Sequence, residues 1–211
     1  MKKATTVDEL VEQLIDVGRM AVERGLVLAS GGNLSARLPG SGEFVVTASG
    51  TWLDRLEPGD FTRMDLDGEV VGGNRSPSSE WKLHQRTYRV REDVNAVVHI
   101  HPQYAVLVDA LGHPVRLFTL DHAVYVRSVG RTDYHPNGSD ELADTAAAEA
   151  KVHDCVILGH HGCSATGPDV GMAFRRAMNL EEAAIATYRA LAVGDTETAF
   201  PAEAYHALHH A

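Results

Sequence analysis

Apolar and polar positions recur along the chain at two spacings, which predict both helices and strands. Over residues 7–21 the apolar positions return every three or four residues, as on the buried face of a helix. Thr6 and Glu9 form the capping-box pattern at its start, and Gly25 marks its end. The same spacing predicts a long helix over residues 170–192.

Shorter helices and strands fill the rest of the pattern. Helices are predicted from about residue 79, over 103–111 and over 139–151, and strands over 44–48, 96–100, 115–120, 123–126 and 155–158, with a hairpin at 64–71. Because helices and strands alternate in mixed order, the sequence predicts an α/β fold with one mixed sheet flanked by helices. We expect a single domain over residues 1–211, with a tail from about residue 195 that no pattern assigns.

Composition and charge narrow the class of protein. Hydrophobic residues make up 44% of the 211 residues and charged residues 23%, which is ordinary for a globular chain and excludes a disordered one. The net charge of −10 argues against nucleic acid as a partner, which needs a basic surface. No apolar run could span a membrane, the first residues lack the apolar stretch of a signal peptide, and two cysteines cannot build a disulfide framework. We therefore expect a cytoplasmic protein that binds neither nucleic acid nor membrane.

The chain contains 12 histidines, and two pairs of them stand where strands are predicted to end. His99 and His101 are two positions apart, so they share one face of a strand and can present two imidazoles together. Such a pair suits a divalent metal, although it can also simply face solvent. The second pair is His160 and His161, which are adjacent in the sequence, so their side chains point apart. We therefore expect His161 to face a site and His160 to pack or hydrogen-bond beside it.

Hydroxyl and carboxyl groups precede the helix predicted from about residue 79. Ser78 or Ser79 can cap this helix, and their hydroxyls would form an anion pocket together with the amide groups of the helix start. Glu80 then falls in the first turn, where it could serve as an acid or base in a site or merely stabilise the helix dipole. His84 lies one turn further on the same face, and it could bind a metal, form a hydrogen bond or face solvent.

Two glycine-bearing turns follow other apolar runs. Residues 30–35 are Ser-Gly-Gly-Asn-Leu-Ser, and residues 47–50 are Thr-Ala-Ser-Gly. Neither fits the dinucleotide fingerprint or the Walker phosphate loop, so a dinucleotide or ATP site is not supported. Backbone amides in such turns can cradle a small phosphate, but each segment taken alone could be a simple turn.

Taken together and in this order, five segments resemble those of the class II aldolase/adducin family. They are residues 30–35, 47–50, 77–81, 97–101 and 159–162. The resemblance covers most of the chain and implies a mixed αβα sandwich that assembles into a homotetramer with active sites between subunits. It also implies that His99, His101 and His161 hold Zn²⁺, or another divalent metal such as Mn²⁺ or Co²⁺. Glu80 is then the catalytic acid/base and an additional metal ligand when substrate is absent.

The same resemblance implies a substrate and a reaction. A phosphorylated ketose would be cleaved or formed through a metal-stabilised enediolate of dihydroxyacetone phosphate, with an aldehyde as the other fragment. The substrate phosphate would lie among Gly32, Asn33, Ser49, Gly50, Ser78 and Ser79. Family aldolases use a tyrosine to protonate the leaving oxygen. In this chain His122 stands at the matching position, with Tyr125 nearby and Tyr205 as a candidate in the C-terminal tail.

Two further functions are compatible with these residues. A decarboxylase of a phosphorylated or aromatic acid and a 4-epimerase of a pentulose phosphate would both pass through the same type of metal-stabilised enolate. A non-catalytic adducin-like scaffold would need no metal, and three histidines together with Glu80 argue against it. The Ser78-Ser79 pair favours aldol chemistry on a phosphate ester, and His122 in place of tyrosine favours a variant substrate.

Overall fold

The strands form one eight-stranded sheet in the computed structural model, which describes residues 4–209. The strands are β1 (Asn33–Ala36), β2 (Glu43–Thr47), β3 (Phe61–Asp65), β4 (Val70–Gly73), β5 (Ala96–Ile100), β6 (Val129–Thr132), β7 (Cys155–Leu158) and β8 (Gly162–Gly167). Their order across the sheet is β4-β3-β2-β1-β5-β8-β7-β6, and only β6 and β7 pair in parallel. The sheet is therefore mixed, as predicted, and β5 lies inside it.

Six α-helices are present within residues 4–209. They are α1 (Val7–Glu23), α2 (Trp81–Val90), α3 (Gln103–Ala110), α4 (Asp140–Ala150), α5 (Val170–Ala192) and α6 (Ala202–His209). Helices α1, α3 and α5 share one hydrophobic core with the sheet, including Leu14, Val98 and Leu180, whereas Leu83 of α2 packs with α4 and Val156 in a separate cluster. Helices on both sides of a mixed sheet confirm the predicted α/β fold class. None of the described helices combines the length and apolar character that crossing a membrane requires.

Polar signals at the helix starts have the predicted effect. The Thr6 hydroxyl accepts the N–H of Glu9, whose carboxylate accepts the N–H of Thr6, so α1 begins with a capping box. The Ser139 hydroxyl accepts the N–H of Leu142 at the start of α4. These side chains satisfy amide groups that have no partner inside the helix. The long helix over residues 170–192 and the hairpin formed by β3 and β4 are confirmed as well.

The strands predicted over residues 115–120 and 123–126 are wrong. Residues 113–118 have no regular structure, and His122–Val126 form a π-helical turn. Ala123 and Val126 of this turn are buried, and the turn contacts α5, so these residues contribute to a helical layer and not to the sheet. Conversely, the pattern does not predict β1, β6 and β8. These strands are rich in small and polar residues, and pairing with their neighbours fixes them without a hydrophobic run.

A carboxylate from α5 holds the start of α3. Glu181 is buried, and its two carboxylate oxygens accept the N–H groups of Tyr104 and Ala105 at 2.9 and 2.8 Å. Both N–H groups belong to the first turn of α3, which begins two residues after His101. The contact therefore fixes the chain at the point where it leaves the sheet.

Replacing Glu181 with alanine is expected to lower the free energy of unfolding by about 1–3 kcal/mol, because two N–H groups lose a buried partner. Urea denaturation followed by circular dichroism measures this change. Glu12→Ala removes an exposed glutamate from α1 and serves as the control, with an expected change below about 0.5 kcal/mol. Equal unfolding free energies for Glu181→Ala and the unmodified chain would show that this contact does not stabilise the fold.

Candidate functional site

Four side chains that could bind a metal ion converge at one end of the central strands. They are Glu80, His99, His101 and His161, and one ligand atom from each lies within 4.8 Å of those of the others. His99 is in β5, His101 directly follows that strand, and His161 lies in the turn between β7 and β8. Because β5 and β8 are antiparallel neighbours, the end of β5 meets the start of β8, and the histidines of both segments come together.

The carboxylate of Glu80 lies between the imidazoles. Its Oε2 is 3.0 Å from Nε2 of His99, and its Oε1 is 3.4 Å from Nε2 of His161. The Nε2 atoms of His99 and His101 are 3.1 Å apart. Oε1 of Glu80 is buried, and no described residue gives it a hydrogen bond. The four possible ligand atoms therefore point at one another, and Oε2 of Glu80 also accepts a hydrogen bond from Nδ2 of Asn33 at 2.9 Å.

Hydrogen bonding and burial set the protonation of these groups. The Nδ1 atom of His99 donates to the carbonyl oxygen of Cys163 at 2.9 Å, which turns Nε2 towards Glu80. Burial first, and then the neighbouring histidines, lower the pKa of His101 to about 3. Burial also lowers the pKa of His161. Both rings are therefore neutral near pH 7 and keep a nitrogen lone pair for a metal.

Glu80 and His99 each stabilise the charged form of the other. Burial by itself would raise the pKa of the Glu80 carboxyl, but the charge and hydrogen bond of His99 outweigh it and lower that pKa well below its usual range. Burial would likewise lower the pKa of His99, but the Glu80 charge outweighs it and raises that pKa. Three imidazoles and one carboxylate form a donor set that suits a divalent cation such as Zn²⁺, and the unpartnered Oε1 of Glu80 fits that use.

The start of α2 differs from the prediction and explains how Glu80 reaches this group. Neither Ser78 nor Ser79 is the N-cap residue; Glu80 occupies that position, and α2 begins at Trp81. The Ser78 hydroxyl accepts the N–H of Glu80 at 3.3 Å. The carboxylate makes no hydrogen bond to the helix start, so it does not serve as a first-turn acid and turns towards the histidines.

A cavity of about 200 Å³ adjoins two of the four groups, Glu80 and His101. Its lining includes Glu80, His101 and all six residues predicted to bind phosphate, namely Gly32, Asn33, Ser49, Gly50, Ser78 and Ser79. The described residues of this lining include no lysine or arginine, so an anion there would depend on hydroxyl and amide groups and on a neighbouring cation. The structure thus brings the predicted metal and phosphate groups into one place.

Two loop residues shape this cavity in ways the motifs do not reveal. Asn137, from the loop before α4, lines it although the sequence analysis does not select it. The only sequence signal there is the turn-forming run Pro136-Asn137-Gly138. At Gly32 the backbone has φ +73, and a Cβ atom would lie 2.6 Å from the carbonyl oxygen of His99. A side chain at this position would therefore push the glycine-bearing turn away from β5.

The remaining histidines near the motifs have different surroundings. His84 is fully buried, and both of its ring nitrogens are within hydrogen-bond distance of other side chains, which confirms the hydrogen-bonding interpretation over the metal-ligand one. His160 is exposed with φ +56, so the prediction that it packs beside the site is wrong. It occupies the tight turn that lets His161 face Glu80.

The three candidates for the second proton-transfer group lie away from this cavity. His122 is buried, accepts the N–H of Phe118 and contacts the carboxylate of Glu182 on α5. The hydroxyl of Tyr125 accepts from Arg175 at 3.4 Å, and that of Tyr205 donates to the carbonyl oxygen of Arg127 at 2.8 Å. None of the three is among the described residues that line the cavity of their own chain.

Comparison with known proteins identifies one family, and the similar proteins include aldolases and a decarboxylase. The family model described as "Class II Aldolase and Adducin N-terminal domain" matches residues 12–188. An L-fuculose phosphate aldolase from Methanocaldococcus jannaschii is 33% identical over 173 residues, which cover 82% of this chain and 92% of that protein. A 3-oxo-tetronate 4-phosphate decarboxylase from Haemophilus influenzae is 29% identical over 82% of this chain and 84% of that protein. A solved structure of an L-fuculose 1-phosphate aldolase has a TM-score of 0.88 at 30% identity and covers 98% of this chain and 95% of that one.

Proposed function

Because this chain belongs to the class II aldolase and adducin family, we propose that it is a zinc-dependent aldolase of the L-fuculose-1-phosphate type. It would cleave or form a ketose 1-phosphate, with dihydroxyacetone phosphate and an aldehyde as the two fragments. His99, His101, His161 and Glu80 would hold the metal, and Mn²⁺ or Co²⁺ could replace Zn²⁺ on the same donors.

One observation carries the proposal. Glu80 belongs to the group that could bind a metal, and it also lines the cavity where the six predicted phosphate-binding residues meet. A phosphate held by the hydroxyl and amide groups would therefore place the rest of a small substrate against Glu80 and His101. That juxtaposition suits a substrate with a phosphate at one end and reacting oxygens a few bonds away.

In this proposal the residues of the chain hold the metal, bind the substrate phosphate and transfer a proton. A divalent cation, when bound, supplies Lewis acidity that stabilises negative charge on the carbonyl and hydroxyl oxygens of the substrate. The serine hydroxyls and the turn amides bind the phosphate and orient the reacting carbon. Glu80, ionised at neutral pH, removes a proton from that carbon in the direction of aldol formation. In the cleavage direction the carbon–carbon bond breaks, the aldehyde leaves, and Glu80 returns the proton to the carbon.

We assign the second proton transfer, at the oxygen of the aldehyde fragment, to a neighbouring subunit. The ring of His122 is fully buried in its own chain and contacts Glu182, so it cannot reach another copy, and Tyr125 and Tyr205 remain as the candidates. Since neither tyrosine lines the cavity of its own chain, each would have to reach the site from another copy. The proposal therefore includes a cytoplasmic homotetramer with active sites at subunit interfaces, acting on a small phosphorylated sugar.

Decarboxylation is the second candidate function, and one relative favours it. The Haemophilus influenzae protein is named a decarboxylase of a 3-oxo acid phosphate, and it matches this chain over nearly the same length as the aldolase relative. The loss of carbon dioxide from such an acid also leaves an enolate, so the metal donors and the phosphate cavity would serve it equally. Epimerisation of a pentulose phosphate would also pass through a metal-stabilised enolate, so the same metal donors and phosphate cavity would serve it.

A substrate screen separates these activities. The purified chain, loaded with Zn²⁺, is incubated with dihydroxyacetone phosphate and a set of aldehydes, and in parallel with phosphorylated 3-oxo acids and pentulose 5-phosphates. The proposal predicts a ketose phosphate from the first reaction. Release of carbon dioxide, or inversion of a pentulose phosphate, without aldol product would instead assign the alternative. A purified chain that binds no divalent metal and turns over none of these substrates would favour the adducin-like scaffold.

The phosphate cavity yields a prediction about substrate affinity. Ser49→Ala and Ser79→Ala are each expected to raise the KM for a phosphorylated ketose about 10–100-fold, because a hydrogen bond to a charged group is worth about 1.5–3 kcal/mol. The kcat is expected to change little, and the KM for the unphosphorylated ketose should stay the same. Ser76→Ala is the matched control, since Ser76 is exposed and does not line the cavity. Equal effects on both substrates would place the phosphate elsewhere.

A further inference from the structure

The buried His84 lies next to the site without entering it. We propose that His84 is a positioning residue that fixes the side-chain amide of Asn33, so that its NH₂ group faces both Glu80 and the cavity. This inference rests on the proposed function only in so far as Glu80 transfers the proton. The arrangement of the amide can be tested whether or not the chain is an aldolase.

Five side chains form a continuous line of close polar contacts that ends at Glu80. The hydroxyl of Tyr88 is 2.7 Å from Oγ of Ser35, which is 2.7 Å from Nδ1 of His84. Nε2 of His84 is 2.5 Å from Oδ1 of Asn33, and Nδ2 of Asn33 is 2.9 Å from Oε2 of Glu80. All five residues are at least nine-tenths buried. Water therefore cannot readily replace a missing member of the line.

The charge of Glu80 fixes the direction of every hydrogen bond in this line. A carboxylate only accepts, so Asn33 must donate to it from Nδ2 and present Oδ1 to His84. Oδ1 also only accepts, so Nε2 of His84 must carry the ring proton. The ring is neutral, because burial lowers its pKa to about 3, and Nδ1 therefore accepts from Ser35. With its single proton used, Ser35 accepts from Tyr88.

This direction explains why a histidine suits the position. Asn33 lines the cavity, and its NH₂ group has two N–H donors, one of which bonds Glu80. If the amide turned over, its carbonyl oxygen would face the Glu80 carboxylate and remove a donor from the cavity. His84 opposes that turn, since an Nε2–H group facing an NH₂ group would place two donors against each other. The side chain thus acts on Glu80 and on the substrate anion through Asn33.

Nuclear magnetic resonance tests the assigned tautomer without any substrate. Long-range proton–nitrogen spectra of the ¹⁵N-histidine-labelled, metal-loaded chain distinguish Nε2–H from Nδ1–H rings, and His84→Gln identifies the signal by its loss. We expect His84 to remain a neutral Nε2–H tautomer from about pH 6 to about pH 8. An Nδ1–H tautomer, or a ring that becomes protonated within this range, would overturn the proposal.

A double-mutant cycle tests whether His84 acts through Asn33. His84→Phe keeps a ring of similar size but removes both nitrogens, and we expect it to lower kcat about 10–100-fold, as is common for groups that orient a catalytic side chain. In the Asn33→Ala background the same change should have little further effect, because the group it positions is gone. His84→Gln retains an N–H donor near Nε2 and should recover most of the kcat.

Controls separate positioning from a general loss of stability. Thr87→Val removes another buried hydroxyl from α2, one that donates to the carbonyl oxygen of Leu83 and has no part in the line. It should leave kcat and metal content unchanged. Equal losses from His84→Phe in both Asn33 backgrounds, or no recovery by His84→Gln, would show that His84 only supports packing. Absence of aldolase turnover in the unmodified chain would refute the proposed function, and the tautomer would still decide the arrangement of Asn33.

Discussion

Replacing His99 with alanine is expected to abolish both divalent-cation binding and turnover. His99 is fully buried in β5, its Nδ1 atom is anchored on the carbonyl oxygen of Cys163, and its Nε2 atom faces Glu80 at 3.0 Å. The variant loses a donor that contacts the protein through both ring nitrogens and leaves the buried Glu80 carboxylate without its closest imidazole partner. The loss of metal affinity should exceed the roughly 10–100-fold that follows removal of a group that merely orients a ligand.

Metal content and calorimetric titration with Zn²⁺ measure this effect directly. His161→Ala is expected to behave like His99→Ala, because its Nε2 atom lies 3.4 Å from the other carboxylate oxygen. His160→Asn is the matched control, since His160 is exposed and asparagine tolerates its positive φ. It should bind the metal as the unmodified chain does. A His99→Ala chain with unchanged zinc affinity would remove His99 from the ligand set.

Replacing Glu80 with glutamine is expected to stop catalysis while leaving metal bound. The amide has nearly the shape of the carboxylate and keeps one oxygen for a cation, but it cannot accept a proton at neutral pH. The Glu80 pKa lies well below its usual range, so the native side chain is ionised at neutral pH and has a lone pair that can accept the proton. Loss of a general base lowers the rate by typically about 10²–10⁴-fold, and we expect a fall in kcat of that size.

Two measurements make this expectation specific to proton transfer. The exchange of a carbon-bound proton of dihydroxyacetone phosphate with deuterated solvent should fall in parallel with kcat, whereas the zinc content should remain near one per chain. Glu92→Gln, at an exposed position beyond α2, is the control and should retain both. Normal exchange in Glu80→Gln would assign the base to another group. Loss of the metal would show that Glu80 serves mainly as a ligand.

The residues of the candidate site could be found in the sequence because they lie in short segments at the ends of strands and helices. His99 and His101 follow from the period of a strand, and Ser78, Ser79 and Glu80 stand together in one stretch before a helix. Once the family resemblance connects these segments, the structure places four of them around one cavity, and His161 of the fifth lies in the group of possible metal ligands beside it. The metal ligands and the catalytic roles remain predictions that the variants above test.

Other features could not be predicted, because they depend on contacts between distant parts of the chain. The sequence offers His84 several roles, includes Ser35 only as part of a turn segment and does not mark Tyr88. Only the packing of α2 on β1 aligns their polar atoms. Asn137 reaches the cavity from a loop that no motif marks. The N-cap residue of α2 is Glu80 and not a serine, and its carboxylate contacts His99, which lies far away in the sequence, instead of the helix start.

Cleavage of L-fuculose 1-phosphate with and without metal tests whether the chain is a zinc-dependent aldolase. The purified chain is stripped with a chelator, divided, and assayed for dihydroxyacetone phosphate before and after Zn²⁺ is restored. We expect no product from the stripped chain and steady formation of dihydroxyacetone phosphate after zinc is added, with the Glu80→Gln chain inactive in both states. Product formation that is indifferent to the chelator, or zinc-loaded chain that releases no dihydroxyacetone phosphate from this or any other ketose 1-phosphate, would contradict this proposal.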